Sequence, residues 1–359
     1  MITRRRFTGL IGAAAVAAPH VAHAQALPVV RLGNAAGLID TQVIFLTMGQ
    51  HPRLNYYEEE GCRMDILNMS GVGQTIQAVA SGNCDTSAIS PVAFLNVYAK
   101  TPNLDIVFPY CWLRQAHWSV AVKPDSPVKS LAELKGKTVG IRNQGDTGYF
   151  GARAMFRELG IDPDKDVDWV SIGEGGPAGE AIYRGRADAM AFWDGSFARI
   201  EIAGFPLRQL PNSPGMGKLF GNCYGVRRST FAKDRDLYVR FFRAMAKGTV
   251  FSRANPELAI RLHWEIYPES KPKGKTDKEA FDEALKVVHS RMDKWFAGPA
   301  QPDKRMGAMS LDEWRAQVAF AGLEGQIKDV SPVFTTELID EINRFDADAI
   351  VAKAKSMTI

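Results

Sequence analysis

Five short loops hold the residues of this chain best suited to chemistry. Each lies between a strand-like run and a helix start. They are Asn34-Ala35-Ala36-Gly37-Leu38-Ile39-Asp40, Ser70-Gly71-Val72-Gly73, Ser90, Gly145-Asp146-Thr147 and Gly173-Glu174-Gly175-Gly176. A helix start leaves backbone N–H groups unpaired and presents the positive end of the helix dipole. Small residues let a ligand reach that backbone. The chemistry on offer is capture of a small polar solute, above all an anion. Singly, each loop is only the turn that every strand-to-helix connection needs. Five of them on two units is the informative pattern.

Other chemistries find less support. Gly173-x-Gly175-x-x-Ala178, with Asp194 about 20 residues on, has the outline of a dinucleotide fingerprint, but it lies in mid-chain and Pro177 interrupts it. Lys135-Gly136-Lys137-Thr138 ends like a phosphate loop, yet Leu131 stands where the first glycine is required and a strand follows. There is no G-x-S-x-G elbow and no H-E-x-x-H, and the six histidines are scattered. His117, in Arg114-Gln115-Ala116-His117-Trp118, is either a ligand contact or a structural histidine. Arg114 either neutralises an acid group or forms a salt bridge. Cys62, Cys84, Cys111 and Cys223 form no C-x-x-C pair, so zinc and dithiol chemistry lack a motif. Cys111 and Cys223 flank the two chain crossings described below, where they either pair or stay as buried thiols.

The elements that must position these loops alternate in type. Strands are expected at Val29–Gly33, Met64–Met69, Thr86–Ile89 and Leu104–Pro109, with helices from Thr41 to Met48, after Gly73 and after Ser90. A second unit repeats the pattern. Its strands are Ser119–Val122, Thr138–Ile141, Trp169–Ile172 and Ala187–Phe192, and helices follow Thr147 and Pro177. Such alternation implies mostly parallel α/β sheets, with all the loops at the carboxyl edge of the strands. The Pro/Gly-rich stretch Pro211–Gly217 leads to a return strand around Tyr224–Val226. Beyond Asp234 the pattern is helical, with helices near 234–253, 256–266, 277–295, 311–321 and 335–355. Ser130/Glu133, Thr276/Glu279 and Ser310/Glu313 have capping-box spacing.

The first 24 residues set the compartment. Arg4-Arg5-Arg6-Phe7, a weakly apolar Gly9–Ala18 run and Ala22-His23-Ala24 are ordered as the parts of an export signal. The paired arginines before Phe resemble the twin-arginine type. The apolar run is about half the ~20 residues that a membrane span needs. Without residues 1–24 the chain still exceeds the ~250–300 residues at which one core usually splits, so two domains are expected. The leader holds three arginines and no acid. The working chain is therefore close to neutral, although the whole carries 44 Lys+Arg against 40 Asp+Glu. No basic tract interleaves with aromatics, so nucleic acid is not an expected partner.

The order of pieces resembles the periplasmic solute-binding proteins of ABC importers, in the nitrate/sulfonate/taurine and thiamine-pyrimidine (NMT1/THI5-like) group. The residues that carry this are Gln77-Ala78-Val79-Ala80-Ser81-Gly82-Asn83-Cys84-Asp85, the run from Val122 through Lys123-Pro124-Asp125-Ser126-Pro127 to Gly140, Gly185-Arg186-Ala187-Asp188-Ala189, and Trp193-Asp194. The family's Trp-Asp/Glu-Pro stands here as Trp193-Asp194-Gly195. The resemblance implies a two-lobed, type II periplasmic-binding-protein α/β fold. Lobe 1 would be residues 25–115 and 226–359, including the C-terminal helices, and lobe 2 residues 116–225. It implies a monomeric, periplasmic receptor without cofactor, metal or catalysis, which passes its solute to an inner-membrane permease. Ligand contacts are expected at Asn34, Asp40, Ser70, Gly71, Ser90, Arg114, His117, Asp146, Thr147, Gly175, Trp193 and Asp194. Asp146, Glu174 and Asp194 would repel a bare inorganic anion unless cations intervene. The alternatives are a desulfinase-like or pyrimidine-synthase-like enzyme on the same fold, or an exported nicotinamide oxidoreductase. The first needs a cysteine on the first loop and the second a dense cysteine cluster; neither is present.

Overall fold

The computed structural model describes residues 26–299 and 301–358. The expected export signal lies outside the described residues. The strands form two five-stranded sheets. The first has the order β2-β1-β3-β10-β4, from β1 (Val29–Asn34), β2 (Arg63–Asn68), β3 (Thr86–Ile89), β4 (Ile106–Cys111) and β10 (Cys223–Arg227). The second has the order β7-β6-β8-β5-β9, from β5 (Trp118–Val122), β6 (Lys137–Ile141), β7 (Val167–Ser171), β8 (Ala189–Trp193) and β9 (Arg208–Gln209). The fold is the α/β, two-sheet architecture expected from the sequence.

Each sheet is mostly parallel, as expected, with one reversed strand, β10 in the first and β5 in the second. Strands linked by helical crossovers pair in parallel, β1 with β2 and β3, and β6 with β7 and β8. β10 and β5 arrive from the other sheet without a helical crossover, and they pair antiparallel with their neighbours. β4 lies at a sheet edge and contains Pro109, which donates no ladder hydrogen bond. The proline falls at the register shift between Tyr224 and Val226 of β10, where its missing N–H is tolerated. All four cysteines are buried and unbridged, and Cys111 faces Cys223 across β4 and β10.

Helices cover the sheets. The expected helix at 41–48 is a short α1 (Ile44–Thr47) between 3-10 turns, and α2 (Tyr56–Glu59) follows it. α3 (Val72–Ser81) stops at Gly82, whose φ of 77° needs glycine. α4 (Pro91–Tyr98) starts after Ser90 with proline in its first turn. On the second sheet lie α5 (Thr147–Glu158), α6 (Gly176–Tyr183) and α7 (Asp194–Ile202). The Ser130 box yields only a 3-10 turn, Leu131–Leu134.

The C-terminal helices are α8 (Arg228–Lys233), α9 (Arg235–Ala254), α10 (Pro256–Ile266), α11 (Asp277–His289), α12 (Leu311–Phe320), α13 (Ile339–Ile342) and α14 (Ala347–Ser356). Thr276 and Ser310 form complete capping boxes on α11 and α12. The helix expected at 335–355 breaks in two. Asn343 turns its amide to Met306, and Asp346 caps the new start by accepting from the Ala349 N–H. α9 buries Phe241, Phe242, Met245 and Phe251 in the same core as Phe45, Leu46 and Tyr57.

Candidate functional site

A cavity of about 80 Å3 lies where the carboxyl ends of β1, β6 and β8 approach one another. It has room for roughly five to eight waters. Six of the residues expected at the site line it: Asn34, Gly71, His117, Asp146, Thr147 and Trp193.

Asn34 spends its polar atoms on its own loop. Its amide donates to the Leu38 carbonyl at 2.7 Å and to Asn68 Oδ1 at 3.0 Å, and its oxygen accepts from the Ala36 N–H. Gly71 has a φ of 89° and donates its N–H to the Ala35 carbonyl. That turn aims the start of α3 at the cavity. Asp146 and Thr147 sit at the start of α5, which rests on β8 through Gly148. A Cβ on Gly148 would lie 2.4 Å from the Ala191 carbonyl oxygen, so only glycine lets the helix start this close. Trp193 ends β8, with the Arg142 guanidinium 5.6 Å from its ring centre. His117 ends the crossing into β5. Burial, and next the nearby Arg291, lower its pKa to about 3, so the ring is neutral at physiological pH.

The other candidates stand elsewhere. Asp40 accepts from the Gln42 N–H and pairs with Arg199 at 2.9 Å. Ser70 is exposed, with its N–H on Gln74. Ser90 is buried at the start of α4, outside the cavity wall. Arg114 is only 2% exposed and is not a cleft cation; it donates to the carbonyls of Asp303 and Arg305. Gly175 makes the turn into α6 with a φ of 63°. Asp194 lines an adjoining pocket with His117 and Lys294.

The acids of the site do not stand alone. Arg291 donates twice to Asp194 Oδ1, at 2.5 and 2.9 Å, and Lys294 donates to Oδ2 at 2.9 Å. Burial alone would raise the Asp194 carboxyl, but these two cations hold it down at about 2. Arg142 pairs with Glu174 at 3.3 Å and Asp146 at 3.5 Å. Arg199 joins Asp40 to Glu174 and donates to Gln42 Oε1 at 3.2 Å. Burial raises the carboxyls of Asp146 and Glu174, and these arginines oppose the rise. The intervening cations that the acids required are therefore present.

Sequence reasoning missed Gln42, Phe45, Trp112, Arg142, Asn222, Tyr224 and Arg291, which also line the cavity. Arg142 directly follows β6, so the carboxyl-edge rule that found its neighbours would have found it. Arg291 follows α11 and has no local signal. Four polar atoms of the wall have no partner among the described residues: Gln42 Nε2, Trp112 Nε1, His117 Nδ1 and Asn222 Oδ1. Gln42 also explains the missing proline of the Trp-Asp motif. A Cβ on Gly195 would lie 1.4 Å from Gln42 Nε2, so the amide reaching over from the first sheet's side occupies that space.

Among the described residues, no group of three or more His, Cys, Asp or Glu has metal-ligating geometry. The glycine loop before α6 carries Glu174 as an ion-paired carboxylate, which a diphosphate would meet as a like charge.

No curated protein matches the chain in sequence. The fold is similar to that of the alkanesulfonate-binding protein SsuA from Xanthomonas axonopodis pv. citri bound to MOPS. The TM-score is 0.63 at 16% identity, covering 86% of this chain and 98% of that one. It is also similar to the periplasmic nitrate-binding protein NrtA from Synechocystis PCC 6803, with a TM-score of 0.59 at 13% identity and coverage of 93% and 99%. A third similar structure, the desulfurization enzyme DSZB, has a TM-score of 0.54 at 12% identity, covering 88% and 98%. At these identities the likeness is one of fold. The sequence itself matches the model of a family described as NMT1/THI5 like over residues 40–259, more than half of the chain. The chain belongs to the NMT1/THI5-like family.

Proposed function

We propose that the chain is an extracytoplasmic receptor that binds a small polar organic solute or anion in this cleft and delivers it to the permease of an ABC importer. The observation that carries the reading is the set of unpartnered polar atoms on Gln42, Trp112 and His117, all at most 6% exposed and all on residues that line one cavity. Buried polar groups are normally paired, so these await a partner. In this reading residues 25–115 and 226–359 form one lobe and 116–225 the other, with hinges at the two crossings. Ligand contacts are Asn34, Gly71, His117, Asp146, Thr147 and Trp193, joined by Gln42, Trp112, Arg142 and Arg291. A solute shifts the hinge only by its preference for the closed form. The similarity to proteins named for alkanesulfonate and nitrate binding supports a receptor, and the leader over residues 1–24 supports export.

An enzyme on this fold is the second reading, favoured by the likeness to the desulfurization enzyme. Against it, no cysteine lines the cavity among the described residues, and burial pushes the Cys62 and Cys84 thiols up to about 12 and about 11. A thermal-shift screen of residues 25–359 against sulfonates, taurine, nitrate, pyrimidines and aromatic carboxylates separates the two. A solute at 100 times its Kd adds about 2.7 kcal/mol and raises the Tm by several degrees. One class doing so, with the compound intact afterwards, supports the receptor. Conversion of a compound without a shift would overturn it.

A further inference from the structure

We infer that Cys111 and Cys223 are an oxidisable pair, which closes into a disulfide across the neck of the second sheet when the chain meets a disulfide oxidant. The pairing is independent of what the cleft binds. The first observation is register. The two residues face each other across β4 and β10. The Cys111 N–H donates outward, to the Gly307 carbonyl at 3.0 Å, and not across to β10. Cys111 and Cys223 are therefore a narrow, non-hydrogen-bonded pair, in which Cα atoms stand about 4.5 Å apart and side chains come closest. A disulfide spans Cα separations of about 4.4–6.8 Å. Both side chains enter one buried cluster, whereas their neighbours Tyr110 and Tyr224 enter the other.

The second observation is place in the chain. Cys111 ends β4, at the exit to the second sheet, and Cys223 begins β10, at the return. Residues 112–222 between them contain all of β5 to β9. A bond here makes the whole second sheet one covalently closed loop. Loops of roughly 100 residues are those in which a crosslink removes the most entropy from the unfolded chain. The other two cysteines are placed differently. Cys62 lies in the second cluster, and Cys84 Sγ packs 3.2 Å from where a Gly33 Cβ would stand.

The chemistry is thiol–disulfide exchange. One cysteine, as thiolate, attacks a sulfur of the oxidant and expels one thiol, leaving a mixed disulfide. The facing cysteine loses its proton, attacks the chain's own sulfur and expels the second thiol. The pair gives up two protons and two electrons, and the oxidant's S–S bond becomes two thiols. Closure forfeits one weak hydrogen bond, from the Cys111 thiol to the Leu113 carbonyl at 3.3 Å. Burial, and next the Cys111 thiol beside it, hold the Cys223 thiol well above its ordinary range. Thiolate is therefore scarce in the folded chain, and the bond forms fastest while the strands are still pairing.

Refolding of reduced, urea-unfolded residues 25–359 in mixed reduced and oxidised glutathione tests this. Cysteines are then alkylated under denaturing conditions and the digested peptides are read by mass spectrometry. The expected result is alkylation at Cys62 and Cys84 only, with a peptide linking Cys111 to Cys223 that dithiothreitol separates. The oxidised chain should melt several degrees above the dithiothreitol-treated one. A Cys62→Ala, Cys84→Ala chain should keep that difference, and Cys223→Ala should lose it. Alkylation of all four cysteines after refolding, or a link through Cys62 or Cys84, would overturn the pairing. So would a melting temperature that dithiothreitol leaves unchanged.

Discussion

Asp194 shows why a residue's role here depends on its partners. By type and position it was a candidate ligand contact. In the fold its two oxygens belong to Arg291 and Lys294. With its pKa near 2 in the fold against 3.8 ordinarily, its stabilising contribution is present above about pH 4 and is lost as pH falls toward 2. Two histidines act at milder acidity. Burial lowers His117 to about 3 and His263 to about 4. The unfolded chain takes these protons near pH 6.5 and the folded chain does not, so stability drains away below that pH. Urea unfolding between pH 7 and pH 4 should show a loss of about 1–3 kcal/mol per pH unit, and His117→Gln should roughly halve the slope. Gly195 offers a sharper local test. Gly195→Ala puts a methyl where Gln42 Nε2 lies. The amide must withdraw, and solute affinity should fall about tenfold while far-UV circular dichroism stays unchanged.

At the scale of elements, legibility followed the local character of the signal. Ser310 and Glu313 are three residues apart, and their reciprocal bonds form as that spacing demands. Ser310→Ala should cost about 1 kcal/mol in urea unfolding. The loops at the strand ends were legible because every parallel strand-to-helix turn lands on the same edge. Antiparallel insertion of β5 and β10 was not legible, since nothing in Trp118–Val122 or Cys223–Arg227 says which neighbour each will meet. Arg291 was invisible for the same reason. It is separated by 97 residues from Asp194, and only the packing of the C-terminal arm against α7 joins them. Gly148 sets how closely α5 sits on β8. Gly148→Ala should lift the helix start, cost about 1–3 kcal/mol by overpacking, and weaken solute binding by displacing Thr147.

For the whole molecule, two kinds of seam join the sheets. One is apolar. α4, α5 and α12 pack together, and Trp314 lies 5.3 Å from both Phe108 and Phe220. The other is polar, made by Arg199–Asp40, Arg291–Asp194 and the more exposed Lys286–Glu201 pair. An apolar seam resists exposure to water; of the polar pairs, the exposed Lys286–Glu201 parts at little cost, and the buried Arg291–Asp194 and Arg199–Asp40 regain water as they part. Opening should therefore pivot on the apolar seam. Trp314→Ala should cost about 3–5 kcal/mol within a single unfolding transition, because one buried cluster spans both sheets. Lys286→Ala should change stability by less than about 0.5 kcal/mol.

On the proposed receptor function, the cleft holds a solute and returns it unchanged. Equilibrium dialysis of residues 25–359 against the solute found by the thermal screen, with the bound fraction released and identified by mass spectrometry, measures this directly. The expected result is one solute per chain, recovered chemically intact, with binding abolished in a Trp112→Ala, Gln42→Ala chain that still folds. Recovery of a converted product, or retention of the solute by that double variant, would contradict it.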